Sequence, residues 1–124
     1  MDLKDCISDF RAYRKMESSI KKMEDDIINL LQECMKESFN IDFENLKIDS
    51  GKSKKVDFKC IFCYNCWMLG VSTISIGKRI NKHHSTVFYY INKYDDLYEY
   101  DKDFRELADR FNNKLKEIQD GTNE

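Results

Sequence analysis

The absence of proline most narrows what this chain of 124 residues can fold into. Average usage of about 5% would give about six prolines in a chain of this length. Because proline breaks helix interiors and marks turns, its absence favours long helices joined by short connections. The length suits one domain, and an apolar fraction of 41% is enough for one core. We therefore expect an all-α fold, a compact bundle of about five to seven helices.

The first half of the chain is helical in pattern. Apolar residues recur every three or four positions from Leu3 to Phe10 and again from Ile20 to Cys34. The pair Ser18–Ser19 could cap a second helix, so this segment is either two helices or one bent helix. A short helix is expected over residues 43–47, followed by an exposed basic loop over residues 50–55.

The second half predicts further helices. The run from Val56 to Leu69 is apolar nearly all round, which is typical of a helix buried in the centre of a domain, and Gly70 fits its C-cap. A short helix from Thr73 or Ser75 to Ile80 is expected next. A long helix from near His83 follows, with these residues inward: Val87, Tyr90, Ile91 and Tyr94. A last amphipathic helix precedes a frayed tail at 120–124 and buries one face: Phe104, Leu107, Ala108, Phe111, Leu115 and Ile118.

Charge is distributed unevenly along the chain. The net charge is only −2, yet residues 1–50 carry −4, residues 51–94 carry +7 and residues 95–124 carry −5. The central block holds eight basic side chains against Asp57 alone. Such a basic block favours a nucleic-acid partner, which the total charge alone would rank low.

Residues 74–87 have the layout of a helix-turn-helix. A short helix ends in a tight turn at Asn81–Lys82, and a second helix opens with small polar residues. Such a helix can enter the major groove with its N-terminus first, which places first-turn side chains against base edges. Its backbone N–H groups and its dipole also favour nearby phosphates.

At these residues the chain resembles the C-terminal DNA-binding domain of the bacterial chromosomal replication initiator DnaA. The matching residues are Ile76-Gly77, the basic Lys82 and His84-Ser85-Thr86-Val87. The resemblance covers roughly residues 24–94, so we divide the chain into an N-terminal helical extension (1–20), a DnaA-like domain (21–100) and a C-terminal helix and tail (101–124). Two departures matter: His83 replaces the family's Asp, which takes part in base reading, and the turn is one residue shorter than in some members. A base-facing acceptor has become a possible donor, so the family's recognition sequence is not expected to carry over.

The resemblance implies binding to double-stranded DNA. His84, Ser85 and Thr86 would face bases or phosphates, and Lys82 would reach the DNA backbone at the turn. Residues 52–55 would correspond to a basic loop that reaches DNA beside the major-groove site. The full predicted set of DNA contacts is Lys52, Lys54, Lys55, Lys59, Lys78, Arg79, Lys82, His83, His84, Ser85 and Thr86. The tyrosines of this region are expected to pack, with stacking on single-stranded bases as the alternative: Tyr89, Tyr90, Tyr94, Tyr98 and Tyr100.

Two motifs point to other chemistry. Three cysteines are spaced three residues apart: Cys60, Cys63 and Cys66. Such spacing indicates a zinc site only when a second pair of ligands follows. Because these cysteines lie inside an apolar helix, we expect them to pack in the core as reduced thiols. Zinc held together with His83 or His84 is the alternative. The segment 70–79 looks faintly like a phosphate loop, but six residues separate its glycines and an arginine stands where Ser or Thr must hold magnesium. No nucleotide is therefore expected.

The remaining expectations concern cellular role. No nucleophile, base and orienting group are arranged together and the family's ATPase module is missing, so we expect neither an enzyme nor a cofactor. The charged N-terminus predicts no signal peptide, and polar residues interrupt the uncharged stretch 60–77, so a cytoplasmic protein without a membrane span is expected. A transcription regulator or accessory replication factor of phage or mobile-element origin fits best. The alternative is a protein–protein adaptor without DNA binding, with a partner or a second copy held through residues 1–20 or 101–124.

Overall fold

The computed structural model describes the backbone of residues 3–41, 44 and 53–122 and the side chains of residues 11–41, 44 and 56–121. In those ranges the chain forms five helices and no strand, which confirms the all-α fold. The helices are α1 (Leu3–Phe39), α2 (Ser53–Met68), α3 (Thr73–Ile80), α4 (His84–Tyr100) and α5 (Lys102–Thr122). The helix expected over 43–47, apart from Glu44, and residues 50–52 of the expected loop lie outside the described residues.

The first helix is one continuous element of 37 residues. The expected cap at Ser18–Ser19 is wrong, because the Ser19 hydroxyl donates to the carbonyl of Lys15 at 3.0 Å and so bonds back into its own helix. α1 therefore runs unbroken through the expected boundary between residues 20 and 21. It ends at Phe39, after which Asn40 takes a left-handed φ of 55°.

The second helix lies at the centre of the molecule, as its apolar sequence predicts. It ends in a Schellman motif, where Gly70 has a φ of 100° and donates its N–H to the carbonyl of Trp67 at 3.0 Å. The N–H of Val71 donates to the carbonyl of Cys66 at 3.0 Å. The expected C-cap glycine is thus confirmed. The core around α2 is formed chiefly by Ile28, Leu31, Met35, Ile61, Phe62, Ile76, Ile80, Val87, Ile91, Phe104 and Phe111.

The cysteines of α2 belong to this core. Cys60, Cys63 and Cys66 are fully buried free thiols, so the expectation that they pack is confirmed. Burial raises the pKa of Cys60 to about 12 and that of Cys34 in α1 to about 11. In the part of the chain that the structure describes, no three His, Cys, Asp or Glu side chains are grouped to hold a metal ion.

The fourth helix packs on α2 and buries the side chains that its spacing predicts, Val87, Tyr90, Ile91 and Tyr94. The ring of Tyr94 stacks on that of Tyr64 with centroids 3.8 Å apart. The expectation that all tyrosines of this helix pack is wrong for two of them, since Tyr89 is 55% and Tyr100 is 80% exposed.

The fifth helix packs against α1 and α4 and completes the core. Its expected apolar face is confirmed, with Phe104, Ala108, Phe111 and Leu115 buried and two neighbours half-buried: Leu107 and Ile118. The N–H of Phe104 donates to the Asp101 carboxylate at 3.1 Å, which caps the start of α5. The helix continues to Thr122, so the expected frayed tail is wrong for residues 120–122. None of the described helices combines the length and the apolar character that a bilayer crossing requires.

Candidate nucleic-acid interface

Helices α3 and α4 and the turn between them form the expected helix-turn-helix segment. Ser72 caps α3, because its hydroxyl accepts the N–H of Ser75 at 3.2 Å; the helix thus begins at Thr73, the first of the two expected starts. At the other end Asn81 adopts the left-handed conformation, with φ 58° and ψ 48°. The N–H of Lys82 then donates to the carbonyl of Gly77 at 2.8 Å, which folds the turn back onto α3.

Gly77 makes this tight turn possible. A Cβ atom at this position would overlap the carbonyl oxygen of Lys82 and would lie 3.5 Å from a methyl group of Val87. Glycine therefore lets the turn and the first turn of α4 approach α3 closely. The close approach sets where α4 begins relative to α3.

His83 caps the N-terminus of α4. Its Nδ1 atom accepts the N–H of Ser85 at 3.2 Å and lies 2.7 Å from the Ser85 hydroxyl oxygen. Because Nδ1 accepts, the hydrogen of the neutral ring is carried by Nε2. His83 thus provides the capping acceptor for its own helix and leaves a donor on the other side of the ring.

The start of α4 is open to solvent. His83, His84 and Ser85 are exposed, Thr86 is half-buried, and the two imidazole rings lie with centroids 4.1 Å apart. A shallow depression joins this start to the outer side of α3 and is lined by Ile74, Gly77, Lys78, Asn81, Lys82, His83 and His84. The structure therefore brings together four of the predicted DNA contacts in one depression: Lys78, Lys82, His83 and His84.

Arg79, another predicted DNA contact, is directed at α1 instead. Its guanidinium donates to the side-chain oxygens of Asn29 at 3.0 Å and Gln32 at 3.1 Å, and it forms an ion pair with Asp25 at 3.3 Å. These contacts join α3 to α1. The structure thus gives Arg79 a role inside the fold, and we remove it from the DNA-contacting set.

The lysines of α2 are also placed differently from the expectation. Lys59 is only 2% exposed within the central helix, so it does not lie on a surface that DNA could reach. Lys54 and Lys55 belong to the first turn of α2, so the expected loop is wrong for residues 53–55. Lys52 and the side chains of 54 and 55 lie outside the described part of the chain.

A second contact from α1 holds the other end of α3. The carboxylate of Glu24 accepts the N–H of Ser72 at 2.7 Å and the hydroxyl of Ser75 at 2.9 Å. Together with the Arg79 contacts, this bond ties both ends of α3 to α1. The helix-turn-helix is consequently fixed to the core through the longest helix of the molecule.

The outward side of α4 carries three exposed residues that are not among the DNA contacts predicted from the sequence. Phe88 and Tyr89 are 52% and 55% exposed, and Asn92 is exposed one turn further on. The Nζ atom of Lys93 lies 5.5 Å from the centre of the Tyr89 ring. The sequence could have indicated Phe88 and Asn92, because they follow His84 at intervals of four and so lie on the same side of the helix. None of the four inward positions of α4 is on that side.

Comparison with known proteins adds no identification. No protein-family model matches the chain, and no curated protein or solved structure matches it. The resemblance to the DnaA domain stays a prediction carried by the residues of α3 and α4.

Proposed function

We propose that this protein binds double-stranded DNA without covalent chemistry, with the start of α4 in the major groove, and acts as a small transcription regulator or accessory replication factor. One observation carries the proposal. The exposed first turn of α4, with His84 and Ser85, lies beside Lys78 and Lys82 in the most basic part of the chain. Donors and cations thus occur together at a helix N-terminus, where phosphate and base edges are favoured ligands.

The arrangement supports two kinds of contact. Lys78 and Lys82 would neutralise phosphates and release condensed counterions, which supplies affinity for any sequence. His84, Phe88 and Asn92 follow each other along the outward side of α4 and would face base edges. Phenylalanine suits a thymine methyl group and asparagine pairs with adenine, so a site containing A·T pairs is expected.

The contacts that Glu24 and Arg79 make between α1 and α3 support the same proposal. A helix-turn-helix reads DNA through a fixed orientation of its second helix, and loss of freedom on binding weakens affinity. Glu24 and Arg79 hold α3 before any DNA arrives. The entropic cost of orienting α4 is therefore already met in the folded chain.

A salt titration tests the electrostatic part. Bound sequences are first selected from a random duplex library, and affinity is then measured by fluorescence anisotropy. With about four phosphate contacts, log K against log salt should fall with a slope of roughly −4. In the double variant Lys78→Ala, Lys82→Ala the slope should become shallower by roughly 2, with all duplexes weakened alike. Lys116→Ala, an exposed lysine of α5, is the control and should change neither quantity.

A specificity measurement tests the base-reading part. His84→Ala should lower the ratio of the affinity for selected duplexes to that for random duplexes by roughly tenfold, and it should leave the slope of log K against log salt unchanged. No binding to any duplex at low salt would overturn the proposal and favour the protein–protein adaptor. Equal affinity for all duplexes in the unchanged protein would refute base reading and leave only a non-specific DNA-binding protein.

A further inference from the structure

The N-terminal half of α1 carries a local positive charge that the average over residues 1–50 conceals. Residues 11–22 are all exposed and hold five basic side chains against Glu17 alone, a net charge of +4. A local excess of this size attracts phosphate more strongly than the total charge of the chain suggests. We call the five basic residues the basic side of α1: Arg11, Arg14, Lys15, Lys21 and Lys22.

The basic side of α1 is continuous with the side of the helix that packs on α3. At about 100° per residue, its five residues lie within a sector of roughly 120° around the helix axis. Further along α1 the same sector contains the three residues that bond Arg79 of α3: Asp25, Asn29 and Gln32. The basic side therefore extends the α3-facing side of α1 beyond its contacts with α3.

An open groove lies between the basic side of α1 and α3. Arg14 and Lys21 line it from α1, and Lys78 lines it from α3. Lys78 also lines the depression at the start of α4, beside Lys82 and His84. The groove thus adjoins the surface proposed to meet the major groove, and one lysine belongs to both.

Three acidic residues also line this groove, but two of them are bound to α3. Glu24 accepts hydrogen bonds from the N-terminus of α3, and Asp25 is paired with Arg79. Glu17 is the third acid, and three cations line the groove beside it: Arg14, Lys21 and Lys78. Once the groups bonded within the fold are set aside, the groove has an excess of two positive charges, the sign that attracts phosphate.

We infer that the basic side of α1 binds the phosphate backbone of the same duplex, next to the segment whose major groove receives α4. The inference rests on the proposed function and adds a second contact surface to it. Lys78 and Lys82 account for about two of the roughly four phosphate contacts expected, and Arg14 and Lys21 supply the others. Because residues 11–22 extend over roughly 17 Å of helix axis, the added contact covers up to about five base pairs.

The rigid attachment of α1 favours one duplex as the shared ligand of both surfaces. The helix is continuous through residues 11–22 and is bonded to α3 through Glu24 and Arg79. Its cations are therefore held at a fixed distance from Lys78 and from the start of α4. Binding at the major groove raises the effective concentration of phosphate at the basic side, without a further loss of freedom in the protein.

A salt titration of charge-removing variants tests the inference. On a duplex with about ten base pairs on each side of the selected site, the double variant Arg14→Ala, Lys21→Ala should make the slope of log K against log salt shallower by roughly 2. The affinity should fall at least about tenfold near 0.1 M salt, for selected and random sequences alike. The double variant Lys102→Ala, Lys116→Ala removes two exposed charges from α5 and should change neither quantity. Circular dichroism checks that both variants keep the helix content of the parent.

Two further measurements separate a contact with flanking DNA from a general effect of charge. On a duplex trimmed to the selected site, the parent and the variant Arg14→Ala, Lys21→Ala should bind with equal affinity, because the flanking phosphates are missing. Glu17→Gln should raise the affinity for the long duplex about twofold, since it removes an anion beside the phosphates, and a folding defect cannot produce such a gain. Glu106→Gln, at an exposed acid of α5, is the control and should leave the affinity unchanged.

The outcomes distinguish this inference from the proposed function. A salt slope that Lys78→Ala, Lys82→Ala makes shallower but Arg14→Ala, Lys21→Ala leaves unchanged would overturn the inference alone. Equal losses on trimmed and long duplexes would also overturn it. Binding of the parent to phosphatidylcholine vesicles with about 30% phosphatidylserine, together with an unchanged salt slope in Arg14→Ala, Lys21→Ala, would assign the basic side to a membrane surface instead. A parent that binds no duplex would overturn both the inference and the proposed function.

Discussion

Replacing Gly77 by alanine tests the geometry of the helix-turn-helix most directly. In most helix interiors this change stabilises, since alanine is better than glycine by about 1 kcal/mol. Here the added methyl group meets the carbonyl oxygen of Lys82, which belongs to backbone and cannot rotate away. The turn must therefore move, and with it the first residues of α4.

The expected magnitude follows from three contributions. The helix preference of alanine stabilises by about 1 kcal/mol. Forcing an extra methyl group into a packed contact costs about 1–3 kcal/mol, and weakening the 2.8 Å bond from the Lys82 N–H to the Gly77 carbonyl costs about 1 kcal/mol. We expect a net loss of about 1–3 kcal/mol in the free energy of unfolding, a fall in Tm of roughly 3–10 °C.

Thermal unfolding followed by circular dichroism measures this loss, with Gly121→Ala as the matched control. Gly121 also lies in a helix, but a Cβ there meets nothing within 4 Å, so the same substitution should leave Tm unchanged or raise it slightly. Because the shifted turn displaces the start of α4, DNA affinity should fall in Gly77→Ala as well. A Tm for Gly77→Ala equal to or above that of the parent would refute the close approach described for the turn.

Two further predictions concern buried and bridging groups. Arg79→Ala should lower the free energy of unfolding in urea by about 1–2 kcal/mol, because it removes one partly exposed ion pair and two hydrogen bonds. The slope of log K against log salt for DNA binding should not change. A slope shallower by about 1 would show that Arg79 contacts a phosphate. Stability should also fall at alkaline pH, since burial raises the pKa of Cys60 from 9.0 to about 12 and the unfolded chain ionises first. Between about pH 9 and about pH 10.5 the ionisation of this thiol should lower the free energy of unfolding by about 1–2 kcal/mol. Urea unfolding of the parent and of Cys60→Ala measures this loss, and an equal dependence of the free energy of unfolding on pH in both proteins would contradict the burial of Cys60.

Local patterns predicted the parts of the fold that local physics determines. The inward positions of α4 and α5 follow from apolar spacing because a helix repeats every 3.6 residues whatever its partner. Gly70 was identifiable because few residues other than glycine accept a φ of 100°. The start of α4 was identifiable within one residue from the polar run at 83–86.

Contacts between distant residues were not predictable from the same patterns. Arg79 looks like a basic residue of a basic block, and only the fold shows that Asp25, 54 positions earlier, is opposite it. Lys59 was counted as a surface charge although its side chain is only 2% exposed within the central helix. A serine hydroxyl can cap a helix or bond back into it, and at Ser19 the continuation of α1 decided the outcome.

The N-terminal half of α1 exposes large apolar side chains that its spacing alone would place in a core. Spacing by three and four predicted one apolar side over residues 20–34, and this side runs from the exposed Ile20 and Met23 to the buried Leu31 and Cys34. Periodicity reports that a face is apolar and not what covers it. Only the fold separates the half of α1 that packs on the core from the half that extends beyond it.

The continuity of α1 couples its exposed N-terminal half to the position of α4. A helix without a joint cannot swivel at residue 20, and it is bonded to α3 near its middle through Glu24 and Arg79. A ligand or partner that tilts the N-terminal half of α1 would therefore tilt α3 and move the start of α4 with it.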